Sequence, residues 1–338
     1  MTSNTVTDSD TSAAVSPADS PRHSPSSTSL SSLSSADANQ AKPNYGRLID
    51  TYGNEFSPPD FTIKDIRDAI PKHCFNRSAL TGYSYILRDL ALLATTFTIY
   101  YNFVTPEYIP SKPVRAALWA VYTIVQGFVG TGLWVIAHEC GHGAFSDSNL
   151  INDFTGWVIH SALLVPYFSW KYSHSAHHKA TGHMERDMVF LPRDRDAQAT
   201  RLGRLAHELH ELTEETPIFT ALNLFAQQLV GWPNYLMTNI TGHNFHERQR
   251  EGRGKGKANG AFGGVNHYDP RSPIFDNKQA INIIYSDIGL ALALGGLAYA
   301  IKSFGFANVA VWYIIPYLWV NHWLGKLPSR PSRCVKYH

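Results

Sequence analysis

An all-α membrane protein is the architecture that this sequence predicts: four transmembrane helices in two hairpins, with a cytoplasmic helical cap that carries two histidine clusters. Three observations predict it. Long uncharged runs come in two pairs, within residues 87–137 and 281–324. Lys and Arg are plentiful between the pairs and sparse between the members of each pair. Histidine occurs 16 times in 338 residues, and eight of these fall between His138 and His207. The overall balance excludes other classes. A formal charge of +2 leaves no basic excess to steer nucleic acid, and 17% charged residues is low for a soluble surface. Cys74, Cys140 and Cys334 are too few and too scattered for a disulfide framework or a Cys-based zinc site, and they fit a reducing compartment.

Residues 1–41 are Ser, Thr, Asp, Ala and Pro with almost no large apolar side chain, so they bury too little surface to offset the entropy of ordering. A disordered tail is expected there, with neither a secretory signal nor a transit peptide. Residues 42–84 form a cytoplasmic N-terminal segment. In it, FTIKDIRDAIPKHCFNRS (61–78) alternates apolar and charged residues at helical spacing until Pro71, which predicts a surface helix. The main domain is expected over 85–324. Ala116 to Ala137 is 22 residues without a charge, and at about 1.5 Å per residue it crosses a hydrocarbon core about 30 Å thick. Residues 87–106 pair with it if Arg88 snorkels to the interface. Residues 281–301 and 303–324 form the second hairpin, with a turn expected over Ser303 to Asn308 and Asp287 as the weak point of the third span. The charge distribution puts the long central segment on the cytoplasmic side. Within it, Phe154 to Trp170 and Ile218 to Leu236 are apolar but contain Pro. A single crossing by the first would part the histidines on its two sides by about 30 Å, so both are read as interfacial or re-entrant helices. Residues 325–338 are a divergent basic tail.

The chemistry lies in the histidines. In His138-Glu139-Cys140-Gly141-His142 the two imidazoles are spaced i and i+4, on one helix face. One such pair is expected about once by chance at this histidine content. His174-Ser175-Ala176-His177-His178 puts three imidazoles at i, i+3 and i+4, a pattern that chance supplies roughly 0.03 times. Neutral imidazole suits iron, zinc and copper, and five such ligands exceed what one tetrahedral zinc uses, so a two-metal centre is the natural reading. The isolated His160, His183, His207, His210 and His267 are read instead as decorating a cytoplasmic interface. HECGH also matches the zinc-protease pattern with Glu139 as general base, but Gly141 and Gly143 would loosen the helix and the second cluster would have no role.

HECGHGAFSD (138–147), HSAHHKATGHMERDMVFLP (174–192), FTIKDIRDAIPKHCFNRS and PRSPIFD (270–276) together resemble the membrane-bound acyl-lipid fatty acid desaturases of the fungal Δ12 (omega-6, oleate) type, over about residues 52–324. The resemblance implies four spans in the endoplasmic reticulum membrane and a cytoplasm-facing di-iron centre held by three histidine boxes. It also implies O2 as co-substrate, electrons from cytochrome b5, and a cis double bond inserted into lipid-bound oleoyl chains. Boxes one and two carry over as His138, His142, His174, His177 and His178. Glu139 is a candidate hydrogen-bond partner for a ligand imidazole. Similar enzymes make omega-3 (Δ15) bonds or hydroxylate, and a non-catalytic membrane scaffold or decoy is the reading from another class.

Two features of the family pattern are missing. A third H-x-x-H-H box is expected some tens of residues after the fourth span, and His243 and His246 do not replace it. Family-like text stops at Leu324, and Gly-Lys-Leu can be encoded by GGT AAG TTN, which contains a splice-donor string. A retained intron and a truncated, incomplete enzyme are therefore expected. No H-P-G-G haem signature occurs, so the electron donor is expected to be a separate protein.

Overall fold

Capping chemistry and apolar runs decide where helices begin and end. The computed structural model describes residues 47–50, 52–57, 61–183, 187, 189–191, 216–242 and 265–324. The expected tails at 1–41 and 325–338, together with His207, His210, His243 and His246, lie outside the described residues.

The chain divides into two units, residues 1–70 and 71–338. In the first, β1 (Leu48–Ile49) pairs antiparallel with β2 (Glu55–Phe56). The helix α1 (Ile63–Ala69) starts on a capping box, in which Thr62 and Asp65 bond each other's backbone N–H. Pro71 stops it, as the spacing predicts. The rest of the anticipated surface helix is a separate 3₁₀ turn, Lys72–Phe75, in the second unit, because proline can neither donate to nor continue the ladder.

Among the described residues of the second unit, all regular elements are helices. Ser78 caps α2 (Ala79–Phe103), and α3 (Lys112–Gly141) carries Pro113 in its first turn, where a missing N–H costs nothing. α3 overruns the predicted span 116–137 at both ends, whereas α2 starts before the predicted 87–106 and stops short of its end. α4 (Asn149–Ala162) and α5 (Tyr167–Ala180) replace the single apolar segment expected over 154–170. The chain reverses between them at Leu164, in the left-handed region at φ 55°, with Pro166 opening the next helix. The second apolar stretch is α6 (Pro217–Ala226), a π-helical turn at Gln227–Gly231, and α7 (Trp232–Thr238), which ends on Asn239 in the left-handed conformation. α8 (Ala280–Phe304) ends within the stretch where a turn is expected, Ser303 to Asn308. The break is Gly305 alone, at φ 84°, because only glycine adopts that conformation without strain. α9 (Phe306–Val309), a π-helical turn at Ala310–Ile314 and α10 (Ile315–Leu324) then continue as one rod. Two helical stretches, Lys112–Gly141 and Asn277–Phe304, are long and apolar enough to cross a membrane.

Packing is centred on α3. It lies against α2, α4 and α10, and α8 lies against α4 and α5. Glycines set the closest approaches: a Cβ on Gly127 would fall 2.3 Å from Trp319 Cβ, and one on Gly156 would fall 2.2 Å from a ring carbon of Tyr167. Polar bonds tie α8 to the α4–α5 hairpin. The Trp157 indole donates to the Tyr285 carbonyl at 2.7 Å, and the Phe168 backbone N–H donates to Ser286 Oγ at 2.8 Å. Tyr172 and Asn282 also bond to each other.

Candidate metal centre

Two helix ends bring the histidines together. His138 lies in the last turn of α3 and His142 caps it, after which Gly143, at φ 73°, turns the chain away. His174, His177 and His178 lie in the last two turns of α5. Within each helix the i, i+4 pair closes on itself: His138 Nε2 and His142 Nε2 are 3.0 Å apart, and so are His174 Nε2 and His178 Nε2. Between helices, the ring centroids of His138 and His174 lie 4.7 Å apart, and those of His142 and His178 lie 4.8 Å apart. Ligand nitrogens of His138, His142 and His174 all fall within 4.8 Å of one another. His177 stands to one side, its centroid 6.2 Å from that of His174 and 5.8 Å from that of His178.

Tryptophans wall the cluster on the protein side. Trp170 stacks on His174 at 4.4 Å and also meets His138 at 4.9 Å, while Trp134 lies 5.4 Å from His138. Gly141 makes this possible, because a Cβ there would reach within 2.8 Å of Trp170 Cζ3. The glycine expected to loosen the helix is instead the place where α5 packs against it. Burial, reinforced by the neighbouring imidazoles, pushes His174 down to about 3, and burial likewise lowers His142. These rings are neutral at physiological pH, the form in which imidazole binds a metal.

His177 has a different partner. Its Nδ1 lies 2.7 Å from Asp187 Oδ1, and the carboxylate also accepts backbone N–H bonds from Val189 at 3.0 Å, Phe190 at 3.2 Å and Gly182 at 3.2 Å. Burial alone would raise the Asp187 carboxyl, but these hydrogen bonds hold it below the usual range. Nothing in the spacing of a carboxylate ten residues downstream marks Asp187 as a histidine partner. The residue proposed for that task, Glu139, is exposed, and its carboxylate makes no hydrogen bond among the described residues. Two histidines read as surface decoration are fully buried. His160 packs beside Trp134, Tyr167 and Trp170, and His267 lies against Tyr235 and Phe275, so both rings fill core space.

The donor set fits a transition metal. Two nitrogens about 2.1 Å from one ion and about 90° apart are themselves about 3.0 Å apart, the separation found in both i, i+4 pairs. The set draws on both helices, so it exceeds an H-E-x-x-H site.

Comparison with known proteins gives the same direction. The model of the fatty acid desaturase family matches residues 117–327, and that of a domain of unknown function matches residues 23–96. An oleate hydroxylase from Claviceps purpurea is 69% identical over 322 residues, which cover 95% of this chain and 68% of the relative. A Δ12 fatty acid desaturase from Mortierella isabellina is 41% identical, covering 81% of this chain and 65% of that protein. An omega-6 fatty acid desaturase from Glycine max, named as an endoplasmic reticulum isozyme, is 38% identical, covering 80% of this chain and 63% of the relative. The chain spans about two thirds of the length of these relatives.

Proposed function

Because the chain belongs to the fatty acid desaturase family, we propose that it inserts a cis double bond at the Δ12 position of lipid-bound oleoyl chains, with O2 as co-substrate and two iron ions as cofactor. The observation that carries this reading is the convergence of His138, His142, His174 and His178 at the end of an apolar helix. These four, with His177, would hold the irons. When bound, the irons supply with O2 the oxidising power needed to remove hydrogen from an unactivated methylene. The chain's own part is placement. Rigid helices aim the imidazoles, Trp170 and Trp134 keep water from one side of the cluster, and burial keeps the rings neutral.

The membrane supplies the substrate. α2 is 25 residues long, and together with residues 306–324 it completes four spans with the two long apolar helices. Leu87, Leu292, Leu294 and Phe306 are exposed on these helices, which is costly in water and natural against lipid. Asp89, which would be costly inside a bilayer, is buried and paired with Arg88 at 2.8 Å. We place the protein in the endoplasmic reticulum membrane, with the histidines on the cytoplasmic side and cytochrome b5 as electron donor.

A second reading, hydroxylation of the same oleoyl chain, draws on the Claviceps relative, an oleate hydroxylase. Expression in a host that makes oleate but no polyunsaturated lipid, followed by fatty-acid profiling, separates the readings. New linoleate supports the desaturase and a new hydroxy fatty acid supports the hydroxylase. Neither product, from protein that is folded and membrane-inserted, refutes both for this chain and leaves an incomplete enzyme or a non-catalytic scaffold, which Co(II) uptake by the histidines tells apart.

A further inference from the structure

We propose that Asp187 is a positioning residue that locks the His177 ring as its Nδ1–H tautomer and so leaves Nε2 as the ligand nitrogen. The inference rests on the metal reading above and extends it to a residue outside the histidine clusters.

Of the five clustered imidazoles, four face one another through Nε2 contacts and ring packing, whereas His177 meets a carboxylate. That carboxylate is built in. Asp187 is 1% exposed, and its two oxygens accept three backbone N–H bonds, from Gly182, Val189 and Phe190, in addition to the imidazole. The loop is shaped for this purpose. Gly182 turns the chain at φ 75° just after α5, the Asp187 N–H bonds back to the His183 carbonyl at 3.0 Å, and Thr241 anchors the far end through Val189 and Leu191. A carboxylate facing Nδ1 takes the ring proton on that side, and the Nε2 lone pair is then free toward a metal. Carboxylate–histidine pairs do this at many metal sites, fixing ring orientation and raising ligand basicity. Three backbone donors hold the carboxylate in place, so its position does not depend on the histidine it orients.

The test uses the purified full chain in detergent, with Co(II) as the metal probe and nitrogen-15 histidine spectra of the metal-free protein as a second readout. The unsubstituted protein should show, beside the Nδ1–H signals of His267 and His322, which face the Leu236 carbonyl and Gln228 Oε1, a further Nδ1–H histidine that disappears in His177→Ala. Asp187→Ala should lose that signature and weaken Co(II) binding on the order of 10–100-fold, and Asp187→Asn, which keeps an uncharged acceptor, should lose less. Asp187 also organises its loop, so Thr241→Val serves as the control. It removes the 2.7 Å bond to the Val189 carbonyl without touching the carboxylate, and should leave the tautomer and the Co(II) affinity unchanged. Tight Co(II) binding that Asp187→Ala leaves unchanged, or a tautomer signature that survives in it, overturns this inference alone. Equal losses in Asp187→Ala and Thr241→Val overturn it too, since loop order would then explain both. If the unsubstituted chain takes up no Co(II), the proposed function falls together with the positioning role.

Discussion

Substituting Gly156 by Ala tests whether the α4–α5 hairpin places the second histidine cluster. A methyl group at Gly156 would lie 2.2 Å from Tyr167 Cε2, 2.5 Å from Cζ and 2.8 Å from Oη. Ordinary carbon contacts begin near 3.5 Å, so the ring must retreat by about 1.3 Å. It has little room. Tyr167 is fully buried, its hydroxyl bonds Asp153 at 3.1 Å, and its ring packs on His160. Alanine gains about 1 kcal/mol over glycine from helix propensity. Overpacking a fixed ring costs about 1–3 kcal/mol, and three short contacts put this site at the upper end. The net destabilisation is about 1–2 kcal/mol, or a fall in Tm of roughly 2–8 °C. Tyr167 opens α5, so the displacement is passed along a rigid helix to His174 and His178, and Co(II) affinity should fall with stability. Gly296→Ala is the control. Nothing lies within 4 Å of its added Cβ, and it should raise Tm slightly. Thermal unfolding of the two variants by near-ultraviolet circular dichroism decides the matter: a Gly156→Ala protein with raised Tm and unchanged Co(II) affinity would refute the reasoning.

Replacing His138, His142 or His174 by Ala should abolish or severely weaken Co(II) uptake, whereas His183→Ala should leave most of it. Equal losses in all four, measured by metal content after gel filtration, would sink the ligand set. In the metal-free protein, stability should fall as the pH drops. The His174 imidazole is pushed down to about 3 in the folded state, by burial first and then by its histidine neighbours. An unfolded histidine titrates near 6.5, so below that pH the unfolded chain binds a proton that the folded one refuses. Stability is therefore full above about 6.5 and declines toward about 3, by at most about 1.4 kcal/mol per pH unit from this group. Unfolding followed from neutral to acid pH should show a shallower decline in His174→Ala, and an unchanged slope would refute the assignment.

What the sequence made legible follows from how local each rule is. Apolar length located the cores of α2, α3 and α8 despite Arg88, Asp89 and Asp287, because the thickness of a bilayer is known beforehand. The α4–α5 reversal was read as one segment, since its cause is a single backbone state at Leu164 beside Pro166, and leucine carries no turn signal. Gly141 was read as a weakness because helix propensity is a property of one helix. Its role appears only when Trp170 arrives from another. His160 and His267 were placed at the surface on the average habit of histidine, and packing against aromatic rings overrode that habit.

The second cluster carries this contrast furthest. On a helix of 3.6 residues per turn, position i+4 lies about 40° to one side of i and position i+3 about 60° to the other. His178 and His177 therefore flank His174 on opposite sides, about 100° apart, and cannot both face one point. The structure divides them in that sense: His178 closes on His174 at 3.0 Å and meets His142, while His177 turns to Asp187 at 2.7 Å. An H-x-x-H-H spacing thus already encodes two directions from one helix. The helical period shows that a second direction exists, but what stands there is set by a loop ten residues further on. Only folding brings that carboxylate to the ring.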